Sequence, residues 1–386
     1  MMWIGACTST IGTWMQTVAQ SWLVYTLSND PFYLGLDAFL GQAPIMLFSL
    51  FGGVIADRAD RRRLLLVSQY VQMTCAFTLT LLVHFHVVHV WHILCLSFCV
   101  GTAQSLGGPA YSALIPSLVK PEDLPNAIAL NSIQFNLARV IGPVLAGVTL
   151  ATVGAGWCFG LNGVSFIAVI VTLYIIKVRF VPSKSTAAIL ESMKQGIGFI
   201  RGKTGMVALI VLAFLMTMLA IPLITFLPVF AREVLHGDAK TFTRLLYCSG
   251  AGSVCGALIY AGLGKSKGHG RIALLMLVVL GGLIAAFSQS KSDALSSVII
   301  FFGGAAMITV FAIINSLVQA ITADEMRGRV MSIYNVAFRG GMPIGSLVVG
   351  RLIPYYTAPV TLACVGSLLA VVGLYFLLVQ RRIASL

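Results

Sequence analysis

The sequence predicts an all-α membrane protein with twelve transmembrane helices in two pseudo-symmetric six-helix bundles. Three observations lead to this prediction: an apolar composition, twelve apolar segments of spanning length, and an internal repeat. Of the 386 residues, 58% are hydrophobic and only 10% are charged, and the mean hydropathy is +0.95. A soluble protein of this length needs more charge to cover its surface, whereas lipid solvates an apolar exterior. The composition therefore excludes soluble enzymes.

The positive charge of the chain is distributed as in a membrane protein. The net charge is +13, from 25 Lys and Arg against 12 Asp and Glu. Basic residues form short clusters between apolar segments, without a basic face interleaved with aromatic residues, which argues against nucleic acid as a partner. Most of them fall on the side of the predicted membrane that holds both termini. Because positive loops are retained inside, both termini are predicted to be cytoplasmic, in a bacterial inner membrane.

Twelve apolar segments approach the length of about 20 residues that a spanning helix needs. One connection, residues 179–204, is polar and basic and lies in the middle of the chain. It divides the sequence into a first bundle of residues 1–178, the linker 179–204, and a second bundle of residues 205–386. The predicted spans are 3–27, 33–56, 64–84, 91–115, 126–152, 157–178, 205–230, 242–263, 272–290, 296–320, 329–353 and 359–379.

The two halves share a repeat in the fifth span of each. Arg139 is followed four residues later by Pro143, and Arg339 is followed at the same spacing by Pro343. An acidic pair precedes both spans, and both spans run in the same direction through the membrane. A parallel repeat of six helices is found in transporters built from two equivalent halves.

The turn between the second and third spans carries a recognisable motif. It resembles the signature loop of the major facilitator superfamily, with Asp60 in place of the second glycine. The resemblance implies a cytoplasmic gate, in which this turn lies against the start of the eleventh span near Arg327 and Arg329. A basic turn that only sets the topology is the alternative. The matching residues are Gly53, Asp57, Arg58, Arg61 and Arg62.

Two further resemblances narrow the branch of this superfamily. Gly142, Pro143 and Gly147 look like the core of an element that the antiporters of the family carry in the fifth span. In the fourth span, Ser97 stands four residues before Gly101, where many drug antiporters have an arginine. Motifs along the whole chain, including Leu227-Pro228-Val229-Phe230-Ala231-Arg232, resemble the branch of enterobactin exporters and macrolide-efflux proteins. Relatives in that branch usually have a short basic segment before the first span, which this sequence lacks.

The resemblance implies a secondary active transporter that exports small amphipathic compounds, such as drugs or siderophores, by alternating access in exchange for protons. A lysophospholipid or metabolite carrier is the alternative, followed by a non-transporting membrane sensor or enzyme. No P-loop, nucleophile elbow or cofactor fingerprint occurs, so neither ATP nor a cofactor is expected. Four histidines between residues 84 and 92 lack an acidic or cysteine neighbour, and no metal site is predicted. The expected partners are a small-molecule substrate, a proton and the lipid bilayer, with the chain acting as a monomer.

Polar residues inside the spans suggest a substrate path. Those of the first span recur at i, i+3 and i+7, which places them on one face of a helix. The first and fourth helices of each half line the cavity in the resembled family. Hydrogen bonding between helices is an equally good explanation for each residue. The candidates are Thr13, Gln16 and Gln20 in the first span, Gln104 and Ser105 in the fourth, and Asn315 and Gln319 in the tenth.

Three charged residues lie inside the spans and more than three residues from either end. Asp37 is the only acid that does so, and it is the candidate group for binding and releasing a proton. In the resembled fold, span two faces span eleven, so an external pair between Asp37 and Arg351 is expected; a carboxylate at the edge of the span that reaches into the headgroup region is the alternative. Arg139 and Arg339 should face a protein interior or a cavity, because an arginine at mid-span costs about 2.5–3.5 kcal/mol on insertion scales. A structural role beside Pro143 and its counterpart is the alternative for both arginines.

Overall fold

The structure is a computed structural model that describes residues 2–58, 60–176, 189–262, 268–380 and 383. Within these ranges the side chains of residues 49–58, 125, 136, 189–193 and 324 are not described. All secondary structure in this part of the chain is helical. The chain divides into two compact units, Met1–Ser185 and Thr186–Leu386.

Unit 1 is built from six long helices, which begin and end within about a turn of the predicted spans. The turns between them are short, and α5 is preceded by the 3₁₀ turn Pro121–Asp123. The helices are α1 (Met2–Ser28), α2 (Pro31–Arg58), α3 (Arg61–His84), α4 (Val90–Leu118), α5 (Leu124–Thr152) and α6 (Ala155–Ile175).

Unit 2 repeats this arrangement after an additional helix. A π-helical turn, Phe230–Val234, follows α9, and the 3₁₀ turn Asp324–Met326 precedes α13 just as its counterpart precedes α5. The helices are α7 (Ile189–Gly202), α8 (Met206–Thr225), α9 (Leu227–Val229), α10 (Ala239–Gly262), α11 (His269–Gln289), α12 (Asp293–Ala320), α13 (Arg327–Tyr356) and α14 (Ala358–Leu378).

The predicted all-α membrane fold is confirmed. Ten helices in the described residues are long and apolar enough to cross a membrane. The other two long helices, α1 and α2, have 27 and 28 residues. Threonine, serine and glutamine side chains make α1 less apolar, and α2 runs into residues whose side chains are not described. Together these helices correspond to the twelve predicted spans.

The helices of each unit pack in the same pattern. In unit 1, α2 and α3 both pack against α4, α1 packs against α5 and α6, and α3 packs against α6. In unit 2, α10 and α11 pack against α12, α8 packs against α13 and α14, and α11 packs against α14. The internal repeat seen in the sequence therefore corresponds to a repeated packing arrangement.

The segment predicted as a linker, 179–204, contains the helix α7. Its sequence is amphipathic, with apolar residues spaced at helical intervals among polar and basic ones. Gly196 of α7 lies close to Arg329 and Ile333, so the helix packs against the start of α13. The prediction gave this segment no secondary structure, because its polar and basic composition obscured the helical periodicity.

Glycines let neighbouring helices approach closely, as is usual in membrane bundles. On α11, a Cβ atom at Gly281 would lie 2.5 Å from the backbone nitrogen of Ala370 and 2.5 Å from the carbonyl oxygen of Gly366, both on α14. The next residue, Gly282, is exposed, and a Cβ atom there would meet nothing within 4 Å. The two adjacent glycines therefore differ only in whether the second helix is in the way.

We predict that Gly281→Ala destabilises unit 2 and that Gly282→Ala does not. Overpacking against a fixed backbone costs about 1–3 kcal/mol, whereas alanine at the exposed position adds helix propensity without a clash. The measurement is the midpoint of thermal unfolding of the purified protein in detergent. Equal midpoints for the two variants would contradict the close packing of α11 and α14.

Candidate functional site

A carboxylate inside unit 1 is bound by neutral polar groups from two neighbouring helices. The Asp37 side chain on α2 accepts hydrogen bonds from Gln20 Nε2 on α1, at 3.0 Å to each carboxylate oxygen. Ser97 Oγ on α4 donates to Asp37 Oδ1 at 2.5 Å. Gln20 Nε2 also lies 2.9 Å from Ser97 Oγ. We call Gln20, Asp37 and Ser97 the carboxylate cluster.

The glycine at position 101 explains why the carboxylate cluster forms. Gly41 lies one turn after Asp37 on α2, and Gly101 lies one turn after Ser97 on α4. A Cβ atom at Gly101 would lie 2.5 Å from the carbonyl oxygen of Gly41, so only glycine allows this approach. The close contact one turn away brings the Ser97 hydroxyl within hydrogen-bonding distance of the carboxylate.

The carboxylate in this cluster has no cationic partner within the described part of unit 1. Asp37 is half-buried and Ser97 is 7% exposed. At the equivalent helices of unit 2, Arg244 on α10 forms an ion pair with Asp293 at the start of α12. The same pair of helices is thus joined by a full ion pair in one unit and by a lone carboxylate with neutral donors in the other.

Other predicted substrate-path residues of unit 1 are engaged within or between helices. Gln16 accepts from Asn162 Nδ2 of α6 at 2.6 Å, and Gln104 accepts from Gln72 Nε2 of α3 at 3.2 Å. Thr13 donates to the carbonyl oxygen of Ser9, and Ser105, which is buried, donates to that of Thr102. The Gln16 and Gln104 bonds favour the interhelical explanation for those two residues, while Thr13 and Gln104 remain exposed.

In unit 2 the predicted path residues lie next to each other on α12. Gln319 Nε2 donates to Asn315 Oδ1 one turn earlier. Gln319 is exposed and Asn315 is half-buried. Their role in substrate binding stays a prediction.

Arg139 lies against an aromatic ring instead of an acid. Its guanidinium carbon is 5.7 Å from the ring centroid of Trp14 on α1, a distance typical of a cation–π contact. The indole packs edge to face with Phe135, at 6.2 Å between ring centroids. Arg139 forms no hydrogen bond or ion pair with the residues that the structure describes. Among the described residues, its half-buried charge therefore has no anionic partner.

The antiporter-like element lies at the same interface of α1 and α5. Gly142 is buried, and a Cβ atom there would meet Trp14, the carbonyl oxygen of Ile11 and the backbone nitrogen of Met15. Pro143, the next residue, is buried, and Gly147 is half-buried. The glycine lets α1 approach α5 closely, which holds the indole in place beneath the arginine. In unit 2, Arg339 is exposed and likewise has no ion pair with described residues.

The structure gives the predicted gating motif a packing role within unit 1. Arg61 donates to the carbonyl oxygen of Ala113 near the end of α4, at 3.0 Å. Arg62 donates to the carbonyl oxygens of Leu173 and Tyr174 at the end of α6, at 2.5 and 3.1 Å. Cations are favourable at helix C-termini, where carbonyl groups lack helical partners. The two arginines thus tie the start of α3 to the ends of α4 and α6.

Asp60, which departs from the family motif, is the N-cap of α3. Its carboxylate accepts from the backbone N–H groups of Arg62 at 2.9 Å and Arg63 at 3.4 Å. Aspartate is among the preferred residues at this position because it satisfies N–H groups that have no helical partner. The substitution of the motif glycine therefore has a local structural reason.

The remaining members of the predicted gate and of the external pair are placed as follows. The side chains of Gly53, Asp57 and Arg58 lie outside the described residues. Arg327 is exposed, and Arg329 Nη1 lies 3.3 Å from Met326 Sδ. Both the cytoplasmic gate and the external pair of Asp37 with Arg351 stay predictions. Within unit 2, the Arg351 guanidinium carbon lies 5.3 Å from the ring centroid of Tyr355.

Ser97 is the site residue that the sequence interpretation missed. It was noted only as a departure from an arginine of the resembled antiporters. The sequence does contain a pattern that could have indicated the contact between Asp37 and Ser97. Each of these two residues is followed one helical turn later by a glycine, Gly41 and Gly101 respectively. Paired glycines mark the place where two helices approach closely, and polar residues one turn away are then candidates for contact.

Comparison with known proteins agrees with the fold of the chain and indicates its family. The family model for transmembrane secretion effectors matches residues 1–384. The staphyloferrin A transporter of Staphylococcus aureus is 24% identical over 381 residues, covering 97% of this chain and 94% of that protein. The enterobactin exporter EntS of Citrobacter koseri is 25% identical over 358 residues, covering 92% of this chain and 85% of the relative. A crystal structure of a POT family transporter in complex with 5-aminolevulinic acid has a TM-score of 0.76 at 13% identity, covering 99% of this chain and 96% of the other.

Proposed function

The chain belongs to the transmembrane secretion effector family of the major facilitator superfamily, and from that premise we propose that it exports siderophore-like compounds in exchange for protons. Members of this superfamily are secondary transporters of small molecules and form no enzyme class. The proposal places the chain in a bacterial inner membrane with both termini in the cytoplasm, working as a monomer. Support for siderophores comes from the two relatives, whose names state a staphyloferrin A transporter and an enterobactin exporter.

The carboxylate cluster is the observation that carries proton coupling. A half-buried carboxylate needs hydrogen bonds to offset its loss of hydration, and Gln20 and Ser97 provide them. The same partners also suit the neutral acid, because a serine hydroxyl both donates and accepts. When Asp37 binds a proton, its new O–H donates to Ser97 Oγ, and no ion pair has to be broken. The cluster can thus hold either protonation state.

Protonation of this cluster also changes how firmly three helices are held together. Hydrogen bonds to a charged group contribute about 1.5–3 kcal/mol each, compared with about 0.5–1.5 kcal/mol between neutral groups. The ionised carboxylate therefore binds α1 and α4 to α2 more strongly than the neutral acid does. Every 1.4 kcal/mol of difference changes a conformational ratio about tenfold, so proton binding shifts the balance between the two access states.

We predict that Asp37→Asn abolishes transport against a gradient and spares downhill exchange of substrate. The amide still accepts from Gln20 and Ser97, so the helices stay together, but it cannot bind and release a proton. The measurement is substrate-dependent collapse of a preset pH gradient in everted vesicles, alongside counterflow of labelled siderophore. Asp238→Asn, in an exposed turn where the aspartate caps α10, is the matched control and should behave as wild type. Uphill transport by the Asp37 variant would place the coupling group elsewhere.

The surroundings of Arg139 favour recognition of an anionic substrate. Siderophores hold ferric iron through hard oxygen donors, and such donors are commonly anionic. A guanidinium that is desolvated, oriented by Trp14 and without an acid in the described part of unit 1 is suited to bind such oxygens, with up to two parallel hydrogen bonds. A purely structural arginine at this position would be expected to hydrogen-bond carbonyl groups, and Arg139 has no such bond with described residues. We therefore assign it to substrate recognition.

We predict that Arg139→Gln weakens export of an anionic catecholate or carboxylate siderophore by about tenfold to a hundredfold, the equivalent of one hydrogen bond to a charged group. Export of an uncharged amphipathic compound should change little. Arg139→Lys keeps the charge and should retain part of the siderophore transport. The measurement is the concentration dependence of efflux for both substrates. Wild-type rates with both variants would refute the recognition role, and equal losses for both substrates would indicate a structural one.

A further inference from the structure

Unit 2 contains a cavity of about 460 Å³ where the end of α7, the start of α8 and the end of α14 meet. It is lined by residues of unit 2, whereas the carboxylate cluster and Arg139 belong to unit 1. Arg201 and Lys203 line it from the end of α7 and the turn that follows. Tyr375 and Gln380 line it from the end of α14 and the residues just after that helix. No part of the proposed transport cycle uses these residues.

The polar lining of this cavity is suited to an anion. Arg201 and Lys203 are exposed, neither forms an ion pair with described residues, and no acid lines the cavity. The first turn of α8 also faces it, through Val207 and Ala208. Gly205 precedes that helix in a left-handed conformation, with φ +82° and no side-chain cap. Met206 N–H bonds to the carbonyl oxygen of Lys203, whereas the N–H groups of Val207 and Ala208 have no hydrogen-bond partner among the described residues and add a positive field.

A third polar group in the cavity is an acceptor. The side-chain oxygen of Gln380 is buried and has no hydrogen-bond partner among the described residues. A buried oxygen without a donor is unfavourable, so a rotation of this side chain toward the cavity, where a ligand hydroxyl group can donate to the oxygen, would relieve it. The amide nitrogen of the same side chain is available to an anionic oxygen. The cavity thus matches a ligand with both a negative charge and a hydroxyl group.

The cavity lining also includes exposed apolar side chains. Val207 and Val211 are 47% and 42% exposed, and the ring of Tyr375 is 51% exposed. These side chains lie on the outer surfaces of membrane-spanning helices, where hydrocarbon chains pack. The amphipathic helix α7 ends at the cavity, and such helices lie in the headgroup region of a bilayer. A ligand that fits both kinds of lining has an anionic, hydroxyl-bearing head and an apolar tail.

We propose that this cavity binds the headgroup of an anionic phospholipid of the phosphatidylglycerol type. The phosphodiester lies between Arg201, Lys203 and the first turn of α8, and a glycerol hydroxyl donates to the Gln380 oxygen. One acyl chain follows Val207 and Val211 along the helix. Basic pockets between membrane helices on the cytoplasmic side are a recurrent kind of lipid site. The bound lipid connects α7 with α8 and α14 and so stabilises the position of α7 within unit 2.

The test measures lipid binding by the full-length protein, independently of transport. Purified protein is reconstituted into nanodiscs that contain phosphatidylglycerol and phosphatidylcholine in equal amounts. The lipid that remains bound to the released protein is identified and quantified by native mass spectrometry. Wild type should retain phosphatidylglycerol in preference to phosphatidylcholine. The double variant Arg201→Gln/Lys203→Gln should weaken that retention about tenfold to thirtyfold, from about 1 kcal/mol for each charge near the surface. Gln380→Leu should reduce the preference for phosphatidylglycerol over phosphatidic acid, which lacks the glycerol hydroxyl groups.

The matched control removes two positive charges outside the cavity. Lys120→Gln/Arg271→Gln changes exposed residues on the same predicted side of the membrane and should retain the lipid as wild type does. Equal retention by the Arg201/Lys203 variant and wild type would overturn the proposal. So would equal loss in the control variant, because the effect would then be one of net charge alone. Release of the lipid by millimolar inorganic phosphate would indicate a free-anion site instead of a lipid site.

Discussion

The proposed proton coupling depends on one constraint. A carboxylate inside a membrane unit must be stabilised without losing its ability to take up a proton. Asp37 meets this constraint through neutral donors, Gln20 and Ser97, on two other helices. A cationic partner would stabilise the ionised form more strongly, but protonation would then leave a buried positive charge unpaired. Neutral donors avoid that cost, and in the proposed coupling the local packing of α1, α2 and α4 depends on whether the proton is bound.

The two units use charge differently at equivalent helices. In unit 2, α10 and α12 are joined by the ion pair of Arg244 with Asp293. In unit 1 the equivalent helices are joined at Asp37 and Ser97. The repeat thus supplies the same helix arrangement twice. One copy contains an ion pair between the two helices, and the other contains a carboxylate held by neutral donors. Arg139 and Arg339 follow the repeat more closely, since each lies four residues before a proline inside its helix.

The sequence was sufficient for the spans, because hydropathy and length determine which segments can cross a bilayer. Asp37 and Arg139 could also be selected, since charge inside a span is costly and needs a reason. The contact of Asp37 with Ser97 could not be read directly, because it links residues 60 positions apart and depends on how closely two helices approach. Asp60 was recognisable in principle as an N-cap, but the family motif directed attention to the glycine it replaces. The helix α7 was hidden by a composition that is polar overall and apolar on only one face.

Proton release on substrate binding tests the central claim most directly. Purified wild-type protein in weakly buffered detergent solution should release protons when a saturating siderophore is added, as reported by a soluble pH indicator. Asp37→Asn should bind the same siderophore and release none, because the group that exchanges the proton is gone. Ser97→Ala should alter the pH at which release is half-maximal, since it removes a donor to the carboxylate. Undiminished proton release from Asp37→Asn would contradict the account.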